Sequence, residues 1–180
     1  MKTTAYLATS IDGFIARPDG SVDWLGDPDD DSTEDYDFVK FFETVDVLVM
    51  GSHTYEFVLD YGTWPYEDKP VVVLSSRSIP IPDEFPETIE MMNCPPNEVV
   101  ERLAERGAKH LYIDGGLTVQ QFLNAGLIDR FIITRIPILI GEGIPLFGPI
   151  TRDIKLKHVN TTTFPDGLTQ SEYEVRRESH

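Results

Sequence analysis

The chain has 180 residues, of which 41% are hydrophobic and 26% are charged, a composition typical of one soluble globular domain covering residues 1–180. Its formal net charge is −16 at pH 7, from 15 basic and 31 acidic side chains. Because Lys and Arg supply most of the affinity for phosphate backbones and anionic lipids, this charge argues against nucleic acid and membranes as partners. No apolar run approaches a bilayer-spanning length and the first residues do not resemble a signal peptide, so we expect a cytoplasmic protein.

Strand-like and helix-like patterns alternate along the chain. In chain order, the predicted elements are a strand over 2–8, a turn at 12–13, an apolar run at 14–16, a helix over 34–45, a strand over 45–50, a helix over 52–59, strands over 70–74 and 88–92, a helix over 97–105, a strand over 109–113, a helix over 117–124, a strongly β-branched segment over 130–140, and strands over 155–163 and 168–177. The first helix is predicted from apolar side chains at i, i+3, i+4 and i+7, namely Phe38, Phe41, Phe42 and Val45.

The order of these elements predicts an α/β fold. Strands that alternate with helices over two thirds of the chain require crossover connections, which produce a largely parallel sheet. The central strands are apolar on both sides, so helices should cover both faces of the sheet. A turn at Pro165-Asp166-Gly167 joins the last two strands into a hairpin. We therefore expect a three-layer fold with a mixed, mostly parallel central sheet and a C-terminal antiparallel hairpin.

Three predicted strands end in residues that suit phosphate groups. Gly51-Ser52-His53-Thr54 and Gly115-Gly116-Leu117-Thr118 each lie between a buried strand and a helix start, where free backbone N–H groups and the helix dipole attract anions. Leu74-Ser75-Ser76-Arg77 offers two hydroxyls and a guanidinium, which suit a phosphate monoester such as the 2′-phosphate of NADP. Each segment alone is also compatible with ordinary turn geometry. The G-x-G-x-x-G fingerprint and the P-loop are absent, so a dinucleotide would require another fold.

Acidic residues are concentrated in one segment. Nine acids and no basic residue lie between Arg17 and Lys40, a pattern typical of a solvated loop that leads into a helix. One of these acids working at a substrate site is the alternative. The D-x-D-x-D-G spacing of a calcium loop is absent, the histidines show no ligand spacing, and Cys94 is the one cysteine. We expect no metal site.

Five segments in order along the chain resemble the dihydrofolate reductase superfamily. They are residues 10–16 (SIDGFIA), 49–56 (VMGSHTYE), 74–77 (LSSR), 112–116 (YIDGG) and 137–147 (PILIGEGIPLF). Together they span nearly the whole chain. They are most similar to the branch that contains the reductase domain of the bifunctional riboflavin-biosynthesis deaminase-reductase, the RibD C-terminal-like domain.

This resemblance implies NADPH binding and hydride transfer to a small heterocycle, such as a pterin or a ribosylaminopyrimidine. The implied contacts are Ala8 and Ile15 at the nicotinamide end, Gly51, Ser52, Thr54, Gly115, Gly116, Leu117 and Thr118 at the pyrophosphate, and Ser75, Ser76 and Arg77 at the 2′-phosphate. The branch also often forms homodimers. The apolar segment 131–139 could be part of such an interface or ordinary core.

The resemblance also points to a catalytic carboxylate. Folate-reducing members use one acid on the first helix to hold the pterin and assist its protonation. Asp35 precedes Gly51 at a similar spacing, with Asp37 and Glu34 as rivals, and all three can equally be acids of the first helical turn. Asp12 is a further candidate that either binds substrate or builds its own turn.

Two positions depart from the family pattern. Ser52 stands where many relatives carry Arg or Lys, and Asp114 precedes the glycine pair where a small or apolar residue is commoner. Both departures favour an alternative function, a nucleotide-binding module of the same fold without turnover. A true dihydrofolate reductase is the third hypothesis.

Overall fold

The computed structural model describes residues 1–26 and 35–177. In these ranges the strands β1 to β10 are, in chain order, Lys2–Ser10, Phe14–Ala16, Val47–Gly51, Val71–Leu74, Ile89–Met92, His110–Asp114, Arg130–Ile136, Ile144–Pro145, Leu156–Thr163 and Thr169–Val175. The helices α1 to α4 are Phe38–Glu43, Ser52–Asp60, Pro96–Glu105 and Gly116–Asn124, and a 3-10 helix covers Asp23–Leu25. Within the described parts of the chain, no helix has the length and apolar character needed to span a bilayer.

Eight of these strands form one mixed sheet in the order β5-β4-β3-β6-β1-β7-β10-β9. The strands from β5 to β7 are parallel, while β10 runs antiparallel to both β7 and β9. Strand β1 lies near the centre, with Ala5 opposite Ile113 of β6 on one side and Phe131 of β7 on the other. Strands β2 and β8 form a separate antiparallel pair. The predicted mixed sheet and C-terminal hairpin are confirmed.

Helices cover both faces of the sheet, as predicted. On one face, Phe41 of α1 and Tyr55 of α2 pack with Leu48 and Met50 of β3. On the other face, the buried core collects side chains of α3, α4 and the alternate positions of the same strands. Its members include Val49, Val99, Leu103, Ile113, Val119 and Phe122. Because consecutive side chains of a strand point to opposite faces, the uninterrupted apolar runs of the central strands serve both layers.

Among the element boundaries that differ from the prediction, three have a clear physical cause. Helix α1 begins at Phe38, because Tyr36 and Asp37 have φ angles of +53° and +63°, which an α-helix cannot contain. The predicted start of this helix at Glu34 lies outside the described residues. Strand β7 ends at Ile136, before Pro137, which has no N–H for a sheet hydrogen bond. Helix α3 begins at Pro96 instead of being capped by Asn97, because proline suits the first turn of a helix.

The segment considered as a dimer interface divides into two parts. Phe131, Ile132 and Ile133 are buried within the chain and belong to the two core layers. Leu139 beyond the end of β7 is 70% exposed. The apolar strand residues are therefore core, and only the loop after them offers apolar surface.

Neighbouring strands β3 and β6 send their connections in opposite directions. The chain leaves β3 through α2 on one face to reach β4, and leaves β6 through α4 on the other face to reach β7. This arrangement opens a crevice beyond the carboxyl ends of the two strands. In open α/β sheets, such a switch point is where ligands bind.

Candidate functional site

A cleft of about 820 Å³ opens at the carboxyl ends of β3, β6 and β1. It brings together most of the residues predicted to bind a cofactor: Ala8, Ile15, Gly51, Thr54, Gly115, Gly116, Leu117 and Thr118. The same wall contains residues that the sequence did not single out as site residues, including Tyr6, Phe38, His53, Glu56, Tyr112 and Asp114. The site therefore combines predicted strand-helix junctions with side chains gathered from separate strands.

The two glycine junctions support each other in a reciprocal arrangement, which we call the cradle (Gly51, Thr54, Gly115 and Thr118). A Cβ atom on Gly51 would lie 2.7 Å from Oγ1 of Thr118, and one on Gly115 would lie 2.5 Å from Oγ1 of Thr54. Gly115 also has a φ of +89°, which L side chains rarely adopt. Glycine is required here because each junction packs against the threonine of the other.

The cradle leaves two helix starts open to the cleft. Helix α2 follows Gly51 and helix α4 follows Gly115, and neither start has a side-chain cap. Their first backbone N–H groups are thus available to a bound anion, and both helix dipoles place their positive ends at the same point. Two converging helix starts make a site that suits a diphosphate.

The predicted 2′-phosphate loop lies beside the cleft, not in its wall. The hydroxyl of Ser75 donates to the carbonyl of Arg77 and accepts the Arg77 N–H, at 2.8 and 3.0 Å, so it is used within its own turn. Ser76 is exposed. The Arg77 guanidinium donates to Glu56 Oε1 at 2.9 Å, and this carboxylate does line the cleft. Ser52 is likewise outside the lining, and the assignments of these residues stay predictions.

The predicted acids of the first helix lie outside the cleft wall. Asp35 and Asp37 are exposed, and the Asp35 carboxylate accepts the N–H groups of Asp37 and Val39 at 3.1 and 3.0 Å. Asp35 therefore caps the first turn of α1. The catalytic role of either acid stays a prediction, and their rival Glu34 lies outside the described residues.

Asp12 fastens two loops to each other. Its carboxylate accepts the Ser10 hydroxyl at 2.6 Å and the Gly141 N–H at 2.8 Å, and these bonds, the Ser10 bond first, lower the pKa of Asp12. The side chain is exposed and is not part of the cleft wall. This geometry supports a structural use of Asp12 in its turn, and a substrate-binding role stays a prediction.

Asp114 is the carboxyl group of the cleft wall whose pKa is clearly raised. It ends β6, and its Oδ1 accepts the N–H of Gly115 at 2.8 Å. Burial raises the pKa of Asp114 to about 6, and the hydrogen bond from the Gly115 N–H and the nearby Tyr112 hydroxyl offset part of that rise. A carboxyl with this pKa holds its proton far more often near neutral pH than an ordinary aspartate does.

Aromatic side chains line the cleft together with the acid, and we call Asp114, Tyr6, Tyr112 and Phe38 the floor of the cleft. Tyr112 donates to the Tyr6 carbonyl at 3.1 Å, and Phe38 packs edge-on against both rings. Burial raises the pKa of Tyr6 to about 12 and that of Tyr112 well above its ordinary value. Both phenols are therefore neutral hydrogen-bonding groups at physiological pH.

The charge of the cleft wall is negative. Its carboxylates are Asp19, Glu56, Asp60 and Asp114, and none of the described residues that line the cleft is Lys or Arg. Binding of an anion would therefore depend on backbone N–H groups and helix dipoles. Among residues 1–26 and 35–177, no three His, Cys, Asp or Glu side chains form a group that could hold a metal ion.

From the sequence, Asp114 stands out only as a departure from the family pattern, and the floor was not predicted as a group because its members come from β1, β6 and α1. The available signal was the period-2 spacing of Tyr112 and Asp114, which places both on one face of β6. An acid at the end of an otherwise apolar strand is a candidate for a raised pKa.

Comparison with known proteins supports a family assignment. The sequence profile of the RibD C-terminal domain matches residues 2–169. The uncharacterized protein YwjB of Bacillus subtilis (strain 168) is 36% identical over 166 residues, covering 91% of this chain and 92% of its own. The riboflavin biosynthesis protein RibD of Corynebacterium ammoniagenes is 26% identical over 84% of this chain, which spans 48% of that protein.

Solved structures agree with this assignment. A crystal structure from Shewanella sp. PV-4, provisionally named as a riboflavin biosynthesis protein, has a TM-score of 0.89 and 38% identity, covering 98% of this chain and 100% of that chain. The dihydrofolate reductase of Enterococcus faecalis, complexed with NADP(H), has a TM-score of 0.67 at 20% identity, covers 98% of this chain and 97% of that chain, and shares the fold. The resemblance found in the sequence is confirmed: this chain belongs to the RibD C-terminal domain family and has a dihydrofolate reductase-like fold.

Proposed function

We propose that the protein is an NADPH-dependent reductase that transfers a hydride to a small heterocycle of the pterin or ribosylaminopyrimidine class. The observation that carries this proposal is the cradle, in which two uncapped helix starts meet at one point beside the floor of the cleft. A dinucleotide needs a diphosphate site and an adjoining enclosed site for its reactive ring. The cleft offers both, and the RibD and dihydrofolate reductase relatives support the same function.

The residues of the cleft fit a dinucleotide. The missing side chains of Gly51 and Gly115 leave the first backbone N–H groups of α2 and α4 accessible, and Thr54 and Thr118 add hydroxyl donors at the same place. Ala8 and Ile15 give an apolar contact suited to the nicotinamide end. When bound, the nicotinamide supplies a hydride to an electrophilic carbon of the substrate.

The floor can supply the proton that completes the reduction. Hydride addition to a C=N or C=O bond leaves a heteroatom that must take up a proton. The Asp114 carboxyl can deliver that proton from an Oδ atom, because its raised pKa keeps part of the population protonated near neutral pH. Tyr6, Tyr112 and Phe38 lie in the same part of the cleft wall as the acid and give it an aromatic surface on which a flat heterocycle can pack.

One observation favours a second function, a nucleotide-binding module without turnover. No Lys or Arg occurs among the described residues that line the cleft, and four carboxylates do. Such a wall weakens the hold on a phosphorylated substrate, while the helix starts can still bind a nucleotide. Binding of NADPH without its oxidation across a panel of pterins and pyrimidines would favour the module.

Thermal unfolding with and without cofactor tests the proposal. A ligand that binds the folded state raises Tm, so NADPH should raise it more than NADH does. Arg77→Ala should reduce that difference by removing the cation nearest the predicted 2′-phosphate site. Loss of nicotinamide absorbance with one heterocycle of the panel would establish turnover. Equal, negligible shifts with both cofactors would contradict the proposal.

A further inference from the structure

The ion pair between Glu56 and Arg77 joins the cleft wall to the loop after β4. Arg77 Nη2 donates to Glu56 Oε1 at 2.9 Å, and the two side chains are 61% and 38% exposed. Glu56 is part of the wall and Arg77 is not. The one cation expected to recognise a 2′-phosphate is therefore already paired with a carboxylate that faces the ligand space.

Helix α2 makes this rim strongly acidic. Asp60 follows Glu56 by one helical turn, and both carboxylates line the cleft. A 2′-phosphate carries up to two negative charges, so it meets repulsion here before it can reach Arg77. An unphosphorylated ribose meets the opposite situation, because its hydroxyls can donate to a carboxylate.

Resting on the proposed function, we propose that Glu56 is the specificity-determining residue for the choice between NADPH and NADH. It acts in two ways: it holds the Arg77 guanidinium, and it presents an acceptor to the adenosine ribose. NADPH must displace Glu56 from Arg77, and its 2′-phosphate then lies beside the displaced carboxylate. NADH can bind without any change in the ion pair. The protein therefore prefers NADPH over NADH only weakly, because the Glu56 carboxylate opposes the 2′-phosphate.

Calorimetric titration of Glu56→Gln tests the proposal, with NADPH, NADH, adenosine 2′,5′-bisphosphate and ADP as ligands. Glutamine keeps the size of the side chain and removes its charge, which frees Arg77 and removes the repulsion. The ratio of the Kd for NADH to the Kd for NADPH should rise about tenfold, since an exposed ion pair and one nearby charge each contribute only modestly. The two adenosine fragments should show the same trend, independent of turnover.

Two further variants make the result specific. Adding Arg77→Ala to Glu56→Gln should remove most of the gain, because the freed guanidinium is then absent. Glu98→Gln is the matched control: Glu98 pairs with Arg102 on α3, on the other face of the sheet, with similar exposures of 40% and 50%. It removes the same charge from a comparable pair and should leave the cofactor ratio unchanged.

The outcomes separate this inference from the proposed function. NADPH binding with an unchanged ratio in Glu56→Gln would overturn the role of Glu56 and leave the reductase proposal standing. A gain that persists in full without Arg77, or that Glu98→Gln reproduces, would also overturn it. Failure of the wild-type protein to bind either dinucleotide would overturn both.

Discussion

The cradle and the floor of the same cleft differ in the groups that form them. The cradle consists of backbone and two threonines, with glycine at Gly51 and Gly115 because the opposing junction leaves no room for a side chain. The floor consists of large side chains around one acid, Asp114. The first should recognise a group that every dinucleotide shares, while the second should control protonation and substrate choice. Substitutions can therefore separate binding from chemistry.

The largest effect is expected at the floor. Asp114→Asn should lower kcat about 100-fold, because a positioned general acid typically contributes that much or more. Kd for NADPH should stay the same or fall, because the variant removes a negative charge beside the cradle. Wild-type turnover should fall as pH rises through about 6, where Asp114 loses its proton, and the variant should lack this dependence. Steady-state rates across pH measure both. A variant with the wild-type profile would show that the floor does not supply the proton.

The next effect is expected at the cradle. Gly115→Ala places a methyl group against Thr54 and forces a φ of +89° on an L residue, so NADPH affinity should fall about tenfold or more and stability by about 1–2 kcal/mol. Gly126→Ala is the control, because Gly126 also has a positive φ but open space around it. It should lose stability and keep its affinity. Equal affinities of Gly115→Ala and Gly126→Ala for NADPH would show that the cradle does not recognise the dinucleotide.

A smaller effect is expected on the free energy of unfolding, again from the Asp114 carboxyl in the floor. The folded-state pKa of Asp114 lies above the ordinary value of 3.8, so the acid favours folding below about pH 4 and opposes it once pH passes about 6. Asp114→Asn should therefore raise the free energy of unfolding by about 1–2 kcal/mol at pH 8. The gain should vanish near pH 4. Urea denaturation at the two pH values measures it, and a gain of equal size at both would contradict the titration.

The smallest effect is expected outside the cleft. Asp35→Asn should lower stability by about 0.3–1 kcal/mol, because it removes a negative charge from the start of α1 while the amide oxygen can still accept the Val39 N–H, and it should leave kcat unchanged. Asp153→Asn, at another exposed acid, serves as the control for lost charge. A fall in kcat comparable to that of Asp114→Asn would instead support the carboxylate expected from the resemblance.

The sequence predicted the cradle better than the floor for a physical reason. Gly51 and Gly115 stand directly between a strand and a helix, so their surroundings are encoded by adjacent residues. The floor depends on the register of β1 against β6, which the local pattern does not contain. Asp35 illustrates the same limit: its spacing from Gly51 was informative, but the left-handed Tyr36 and Asp37 shorten α1 and leave the acid at the surface.

The central position of β1 has a consequence for synthesis. This first strand can pair only with β6 and β7, and its nearest partner begins at His110. At about 5–20 residues per second, a ribosome exposes the unpaired strand for several seconds before that partner exists. Unpaired strands of neighbouring nascent chains can associate during this interval, and the large negative charge opposes their approach. We therefore expect the acidity of the chain to reduce association between nascent chains before they fold.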